Sequence, residues 1–169
     1  MTSKDEIKNV LRRAYQIEVD GYTFYSMAAD KADKPAIQEI FGKLADDEVQ
    51  HKLYLQEVMG NYEDKGIKAF NIARRDPDLK AFTSTIFSAE FQKQAEGTDF
   101  EMGVLSVGMT LESRAIQYFA GAAKSADEGE VRDFYNFLAD WERQHFEALQ
   151  QLYNGIREQA WGDSGFSPF

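Results

Sequence analysis

The sequence predicts an all-α protein, a four-helix bundle with one long crossover between the second and third helices. Three observations lead to this fold class. Apolar residues recur at helical spacing in four long segments. Short links join these segments into two pairs, whereas residues 61–97 separate the pairs. The stretch 44–51 returns as 138–145 with six of its eight residues unchanged, which indicates two equivalent halves.

The first pair of helices carries clear start signals. Ser3 and Glu6 have the spacing of a capping box, so the first helix is predicted to begin there and to run to about Ala32. Pro35 suits the first position of the second helix, which is predicted to end near Gly60. Because only a few residues link them, the two helices should form an antiparallel hairpin.

The second pair follows a different kind of segment. Residues 61–97 are predicted to hold one or two short helices packed on the outside, since a structureless loop of that length is improbable in a compact domain. Thr98 and Glu101 form a second capping box that opens the third helix. The fourth helix is predicted to begin near Glu128, and residues 161–169, with two glycines and a proline, are predicted to be an irregular tail.

The composition limits the class of protein. A chain of 169 residues with 43% hydrophobic and 28% charged residues fits one soluble domain, placed at residues 1–160. The absence of cysteine excludes disulfides and thiolate-bound metals, so oxygen and imidazole must hold any metal. A net charge of −10 argues against nucleic acid and membranes as partners. With neither a signal-peptide pattern nor a membrane-length apolar run, we expect a cytoplasmic protein.

The repeated stretch contains the only two histidines of the chain. Each histidine follows a glutamate by three residues, which puts both side chains on one face of a helix, about 60° apart. Another glutamate stands thirty residues before each pair. The three sets, each separated by 94 positions, are Glu18 and Glu112, Glu48 and Glu142, and His51 and His145. The chain therefore has three potential metal ligands in each half.

The four glutamates are predicted to face the centre of the bundle. Each lies about 13 to 15 residues after the start of its helix, on a stripe that is otherwise apolar, so all four should meet at one height. Four ionised carboxylates in a core would be very costly without compensation. Two divalent cations would balance them. The alternative is a relic of duplication, in which these residues are satisfied polar groups in the core.

This motif set resembles that of the ferritin-like superfamily, and is closest to the diiron domain of the rubrerythrins, over nearly the whole chain. The set comprises one glutamate on each of the first and third helices and Glu-x-x-His on each of the second and fourth. The resemblance implies two iron ions per chain, bridged by Glu48 and Glu142 and capped by Glu18 with His51 and by Glu112 with His145. Manganese or zinc would also accept oxygen and nitrogen ligands.

Two departures from the rubrerythrin pattern stand out. The cysteine-ligated, rubredoxin-like iron site typical of rubrerythrins cannot be formed by these residues, so its built-in electron relay is missing. Rubrerythrins also carry an additional glutamate one turn from the ligand of the third helix, whereas here Met109 and Ala115 stand three positions before and after Glu112. This second departure counts against the family's peroxide mechanism with its shifting metal.

Two further residues are candidates for contacts with the ligands. Tyr25 lies two turns beyond Glu18, and it is expected to hydrogen-bond a ligand carboxylate or to guard against stray oxidation, unless it is simply a core tyrosine. Asp47 has the position of an aspartate that orients a histidine in bacterioferritin-like sites. It is expected to reach His145, unless it is a solvated helix charge. Trp141 stands at the equivalent position of the second half.

These observations predict a non-haem diiron oxidoreductase with a role in oxidative stress. It would reduce peroxide or dioxygen with electrons from a separate donor protein, and a homodimer is the expected assembly. The leading alternative is iron handling, in which the same centre oxidises ferrous ions, and storage of iron would then require a closed shell of many subunits. A third possibility is a sensing or structural domain that the metal stabilises without turnover.

Overall fold

The predicted all-α bundle is confirmed. The computed structural model describes residues 3–72 and 99–163. Its helices are α1 (Lys4–Lys31), α2 (Pro35–Lys65), α3 (Lys68–Ile72), α4 (Asp99–Ser125) and α5 (Gly129–Asp163). The most extensive contacts join α1 with α2 and α4 with α5, which are the two predicted hairpins. None of the helices in the described ranges is long and apolar enough to cross a membrane.

The first hairpin begins as its sequence indicates. The Ser3 hydroxyl accepts a hydrogen bond from the backbone N–H of Glu6 at 3.1 Å, and the Glu6 carboxylate accepts one from the backbone N–H of Ser3 at 2.7 Å. This is the predicted capping box, and it satisfies two backbone donors at the start of α1. Pro35 occupies the first turn of α2, where a missing N–H costs nothing.

The end of α2 lies further along the chain than predicted. The helix passes through Gly60 and ends at Lys65, where Gly66 adopts a positive φ of 59°. The expectation of an end near Gly60 is wrong because a single glycine costs a helix only about 1 kcal/mol relative to alanine. Tyr62 is buried in the extra turn and holds it against the bundle.

The crossover begins with a short helix, as predicted. In α3 the ring of Phe70 stacks on Tyr62 and on Phe134, with centroids 5.5 Å and 4.6 Å apart. This helix therefore packs on one end of the bundle. The rest of the crossover lies outside the described residues, as does Thr98 of the second capping box. The α4 helix begins at Asp99, directly after that residue.

The last helix is also longer than predicted. The irregular tail was expected from Trp161, but α5 continues to Asp163, and residues 164–169 lie outside the described ranges. The α5 helix passes through Gly162 for the same reason that α2 passes through Gly60, since a single glycine is a weak stop signal. Leu152 and Ile156 are buried and keep the final turns of α5 close to the other helices.

The core has two apolar layers separated by a polar one. The two buried clusters lie on either side of the predicted ligands along every long helix. On α1, for example, Leu11 belongs to one cluster and Tyr25 to the other, with Glu18 between them. On α2 the order is reversed, as expected for an antiparallel neighbour, with Leu44 and Leu55 on either side of the ligands. The polar layer therefore has an apolar cover at both ends.

Candidate metal centre

The polar layer consists of the six residues that the duplication singled out. They come from four different helices, and every one of them is buried. Their exposed fractions are 0% for Glu18, 2% for Glu48, 2% for His51, 4% for Glu112, 1% for Glu142 and 0% for His145. Because helices rise by 1.5 Å per residue, equal distances from the helix starts bring the four glutamates to one height. The structure thus brings all six predicted ligands together.

Glu48 lies between the two histidines. Its Oε2 is 3.5 Å from Nδ1 of His51, and its Oε1 is 3.5 Å from Nδ1 of His145. One carboxylate therefore turns a different oxygen toward each imidazole, and both imidazoles present the same ring nitrogen. His51 Nδ1 is also 3.0 Å from Glu18, while His145 Nδ1 is 3.8 Å from Glu112. The arrangement repeats in the two halves, as the sequence duplication requires.

The donor atoms are close enough to share metal ions. Two sets, searched among the described residues, have ligand atoms that all lie within 4.8 Å of one another. One set is Glu48, His51 and His145, and the other is Glu48, Glu112, Glu142 and His145. Glu48 and His145 belong to both. Glu18 belongs to neither and joins the centre through its contact with His51.

Several buried atoms of the centre lack a hydrogen-bond partner within the described part of the chain. They are Oε1 of Glu18, Oε1 of Glu142, and Nδ1 and Nε2 of His145. Buried polar atoms are normally paired, and an unpaired one costs about 1–3 kcal/mol. Carboxylate oxygens and imidazole nitrogens are ligands for iron, manganese and zinc. The residues of the polar layer therefore fit a metal centre better than a set of internally satisfied core groups.

The pKa shifts of these buried groups also fit a site for cations. Burial raises the pKa of Glu18 to about 8, with the Glu48 charge adding to the increase and His51 opposing it. Burial and the Glu18 charge also raise the pKa of Glu142 well above its usual range. Burial acts to lower the pKa of His145, but the facing carboxylates outweigh it and the pKa rises. Without metal, the centre thus holds protons in place of cations.

Tyr25 forms the predicted contact with a candidate ligand. Its hydroxyl donates a short hydrogen bond to Oε1 of Glu112, and the ring is completely buried. Burial and the Glu112 charge raise the pKa of the phenol, so the hydroxyl keeps its proton and remains a donor. Gly108 leaves room for this ring, since a Cβ there would lie 3.4 Å from the tyrosine hydroxyl and 3.1 Å from Leu149.

Gly21 is a site residue that the sequence interpretation missed. A Cβ at this position would lie 2.7 Å from Oε1 and 2.9 Å from Cδ of Glu48, so only glycine lets the carboxylate occupy its place. The signal was present in the sequence. A glycine in the interior of a helix costs about 1 kcal/mol relative to alanine, and one turn after Glu18 it indicates a close approach by another group.

Asp47 and Trp141, which are equivalent in the repeat, contact opposite histidines. Oδ2 of Asp47 is 3.8 Å from Nε2 of His145, on the far side of the ring from Glu48. This places Asp47 beside His145 as predicted, although the separation is longer than a hydrogen bond. The indole of Trp141 stacks on His51 with centroids 4.0 Å apart and planes 7° from parallel. The environments of the two histidines are therefore different.

A four-helix bundle with a buried layer of four glutamates and two histidines defines a ferritin-like protein with a site of the dinuclear carboxylate class. The family model that matches the chain is described as Rubrerythrin, and the match spans residues 9–153. The chain belongs to the rubrerythrin family, and membership implies that it binds iron. No curated protein and no solved structure gives a significant match to the chain.

Proposed function

We propose that this protein is a diiron oxidoreductase that reduces a peroxide with electrons from a separate donor protein. The observation that carries the proposal is the position of Glu48, which turns one carboxylate oxygen toward each histidine in a buried layer. A residue so placed is suited to bridge two metal ions. Membership of the rubrerythrin family supports iron as the metal, although the donor set would also accept manganese or zinc.

In the proposed centre, six side chains would hold two iron ions per chain. Glu48 and Glu142 would be shared by both ions, and the pairs Glu18 with His51 and Glu112 with His145 would each complete one site. When bound, two ferrous ions supply the two electrons that reduce a peroxide to water. The two apolar layers above and below the centre limit the entry of water.

The surrounding side chains hold the ligands in place. Tyr25 donates its hydroxyl hydrogen to Glu112 and fixes the orientation of that carboxylate. The indole of Trp141 lies flat against His51 and restricts rotation of the imidazole. Asp47 faces the Nε2 atom of His145, where a carboxylate favours a proton on that nitrogen and leaves Nδ1 free to bind.

The electron source is proposed to lie outside these residues. The 169 residues contain no cysteine, so they cannot build a rubredoxin-type iron site. Purified protein is therefore expected to reduce one peroxide per reduced centre and then to stop. Addition of a small reductase or a rubredoxin-type protein should restore turnover. Sustained turnover with a nicotinamide nucleotide alone, in a preparation free of reductase, would contradict this.

The decisive experiment compares two oxidants. Protein loaded anaerobically with ferrous iron is mixed in a stopped-flow instrument with hydrogen peroxide and, separately, with dioxygen. Faster oxidation by peroxide is the expected result. Faster oxidation by dioxygen would instead favour iron handling, and a many-subunit shell in place of the proposed homodimer would support that reading.

Metal content tests the ligand assignment separately. Elemental analysis should give two metal ions per chain, and Glu48→Ala should remove both because the residue is proposed to bridge them. His51→Ala should weaken mainly one. Glu39→Ala is a matched control, since Glu39 lies on the same helix but is exposed and forms an ion pair with Lys43 rather than with the centre. One ion per chain in the fully reconstituted protein would overturn the proposal of a dinuclear centre.

A further inference from the structure

A cavity of about 440 Å³ leads from the protein surface to the candidate metal centre. It lies between α1 and α4, and three of the proposed ligands, Glu48, Glu112 and Glu142, form its floor. Small molecules commonly bind in clefts of about 300–1,000 Å³. A water molecule takes up about 30 Å³ of liquid, so the cavity exceeds the needs of hydrogen peroxide many times over. It has room for an organic molecule.

The walls of the cavity are largely apolar. Its apolar lining comes from both helices and comprises Ile17 on α1 and Leu111, Ala115 and Tyr118 on α4. At position 115 the small side chain keeps the wall open directly above the floor, because it lies one turn after Glu112. An aliphatic or aromatic group could therefore bury its surface here, while a polar end reaches the floor.

Two arginines line the outer part of the cavity. Arg13 and Arg114 are both exposed, and neither makes a hydrogen bond or ion pair with any described residue. Burial raises the pKa of Tyr118, and the nearby Arg13 charge opposes this rise. Arg114 stands one helical turn before the same tyrosine. Both arginines therefore line the cavity on the side where Tyr118 lies. Guanidinium groups bind carboxylates well, often through two parallel hydrogen bonds.

One acidic side chain, Asp20, also lines the wall, and its carboxylate accepts a hydrogen bond from Gln16 at 2.8 Å within the same helix. Within the described part of the chain it forms no ion pair with either arginine, so both guanidinium groups remain available to a ligand. In a chain with a net charge of −10, two arginines beside one cavity that pair with none of the described residues offer a local site for an anion. The cavity thus combines a cationic end, apolar walls and an oxygen-rich floor.

We propose that this cavity binds an organic hydroperoxide that carries a carboxylate. The carboxylate contacts Arg13 and Arg114, and the hydroperoxide group points to the floor. This inference rests on the proposed function and names its substrate class. In the reaction the O–O bond breaks, the hydroperoxide becomes an alcohol and the released oxygen becomes water. Two electrons come from the reduced centre, which the donor protein restores, and two protons come from solvent.

Binding can be tested without any redox chemistry. The protein is loaded with zinc, and octanoate, a redox-inert carboxylate, is titrated into it in a calorimeter. Octanoate is expected to bind once per chain, and at least tenfold more tightly than octanamide, which lacks the charge. The double variant Arg13→Gln/Arg114→Gln should weaken octanoate binding at least tenfold. Arg12→Gln is the matched control, because Arg12 is exposed next to Arg13 but bonds to Asn9 and lies outside the cavity lining.

A second variant tests the cavity itself. Ala115→Leu should fill the space above the floor and remove octanoate binding, while the zinc content stays unchanged. Equal octanoate affinity in wild type and the double arginine variant would overturn the proposal, since the carboxylate would then lie elsewhere, for example on the metal. Failure of octanoate to bind the wild type would overturn it as well.

The activity of the iron form distinguishes this proposal from the proposed function. With a carboxylated organic hydroperoxide as substrate, the double arginine variant should raise KM about tenfold, whereas the rate with hydrogen peroxide should not change. If the iron form reduces neither peroxide, the proposed function fails while the binding result stands. If hydrogen peroxide is reduced but the organic hydroperoxide is not, the substrate class is wrong and the proposed function remains.

Discussion

Gly21→Ala places a methyl group against the carboxylate that faces both histidines. The added Cβ would lie 2.7 Å from Oε1 of Glu48. Ordinary contacts of this kind need about 3.5 Å, so the carboxylate must retreat by roughly 0.8 Å or the two helices must separate. If Glu48 bridges two metal ions, as proposed, a retreat of this size would move it away from its best distance to both.

The magnitude follows from two opposing effects. Alanine is better than glycine in a helix by about 1 kcal/mol, whereas overpacking of a buried site costs about 1–3 kcal/mol. In the metal-free protein the Glu48 side chain can rotate, so these effects nearly cancel and stability should change little. In the metal-bound protein the carboxylate cannot rotate freely, and metal affinity should fall about 10- to 100-fold.

The assay measures metal affinity by competition with a chelator, together with the thermal unfolding of the metal-free and zinc-bound forms. Gly42→Ala is the matched control, because Gly42 is helical and a Cβ there meets nothing within 4 Å. It should raise stability by up to about 1 kcal/mol and leave metal affinity unchanged. If Gly21→Ala binds metal as tightly as wild type, Glu48 does not bind it from the position seen here.

Two further predictions concern the metal-free protein. Tyr25→Phe removes the buried hydroxyl that donates to Glu112 and should lower the free energy of unfolding, measured in urea titrations, by about 1–3 kcal/mol. The control Tyr15→Phe removes a more exposed hydroxyl and should cost less than about 0.5 kcal/mol. Equal costs would contradict a special role for Tyr25. The pKa of Glu18 in the folded protein, about 8, exceeds its usual value of 4.5. The stabilising contribution of Glu18 is therefore complete below about pH 4.5 and is lost as the pH rises through 8, by up to about 1.4 kcal/mol per pH unit. The raised pKa of His145 likewise makes the metal-free protein less stable as the pH rises. Bound zinc should reverse this pH dependence, because the ligands must lose protons to bind it. Urea titrations of the chelated protein that gave equal stability at pH 6 and pH 8 would refute the expected loss of stability.

The clustering of the six polar side chains was predictable from the sequence because helix geometry converts spacing into position. A separation of three residues places Glu48 and His51 on one face, and the 94-residue repeat places a second pair on the facing hairpin. Neither step depends on side-chain conformation. The same reasoning located Tyr25 two turns from Glu18 and so within reach of the polar layer, where the structure shows its hydroxyl bound to Glu112.

The helix ends and the close contacts were not predictable to the same degree. Gly60 and Gly162 are typical stop signals, yet burial of neighbouring side chains such as Tyr62 and Ile156 outweighs the small cost of one glycine. The role of Gly21 depends on the conformation of Glu48, a residue of another helix. Such a contact depends on the distance between the two helices. The periodic pattern of one segment of the chain does not predict that distance.

The duplication and its divergence together explain the shape of the cavity. Four pairs of its lining residues are equivalent in the repeat, each 94 positions apart, namely Ile17 with Leu111, Asp20 with Arg114, Gly21 with Ala115, and Glu48 with Glu142. The cavity therefore lies where the two halves face each other, and the small side chains at 21 and 115 keep it open from both sides. At the pair formed by Asp20 and Arg114 the charge is opposite in the two halves. The two halves of the cleft therefore differ in charge at this position, and the proposed binding of a carboxylate would use Arg114, together with Arg13, rather than the acidic counterpart of Arg114.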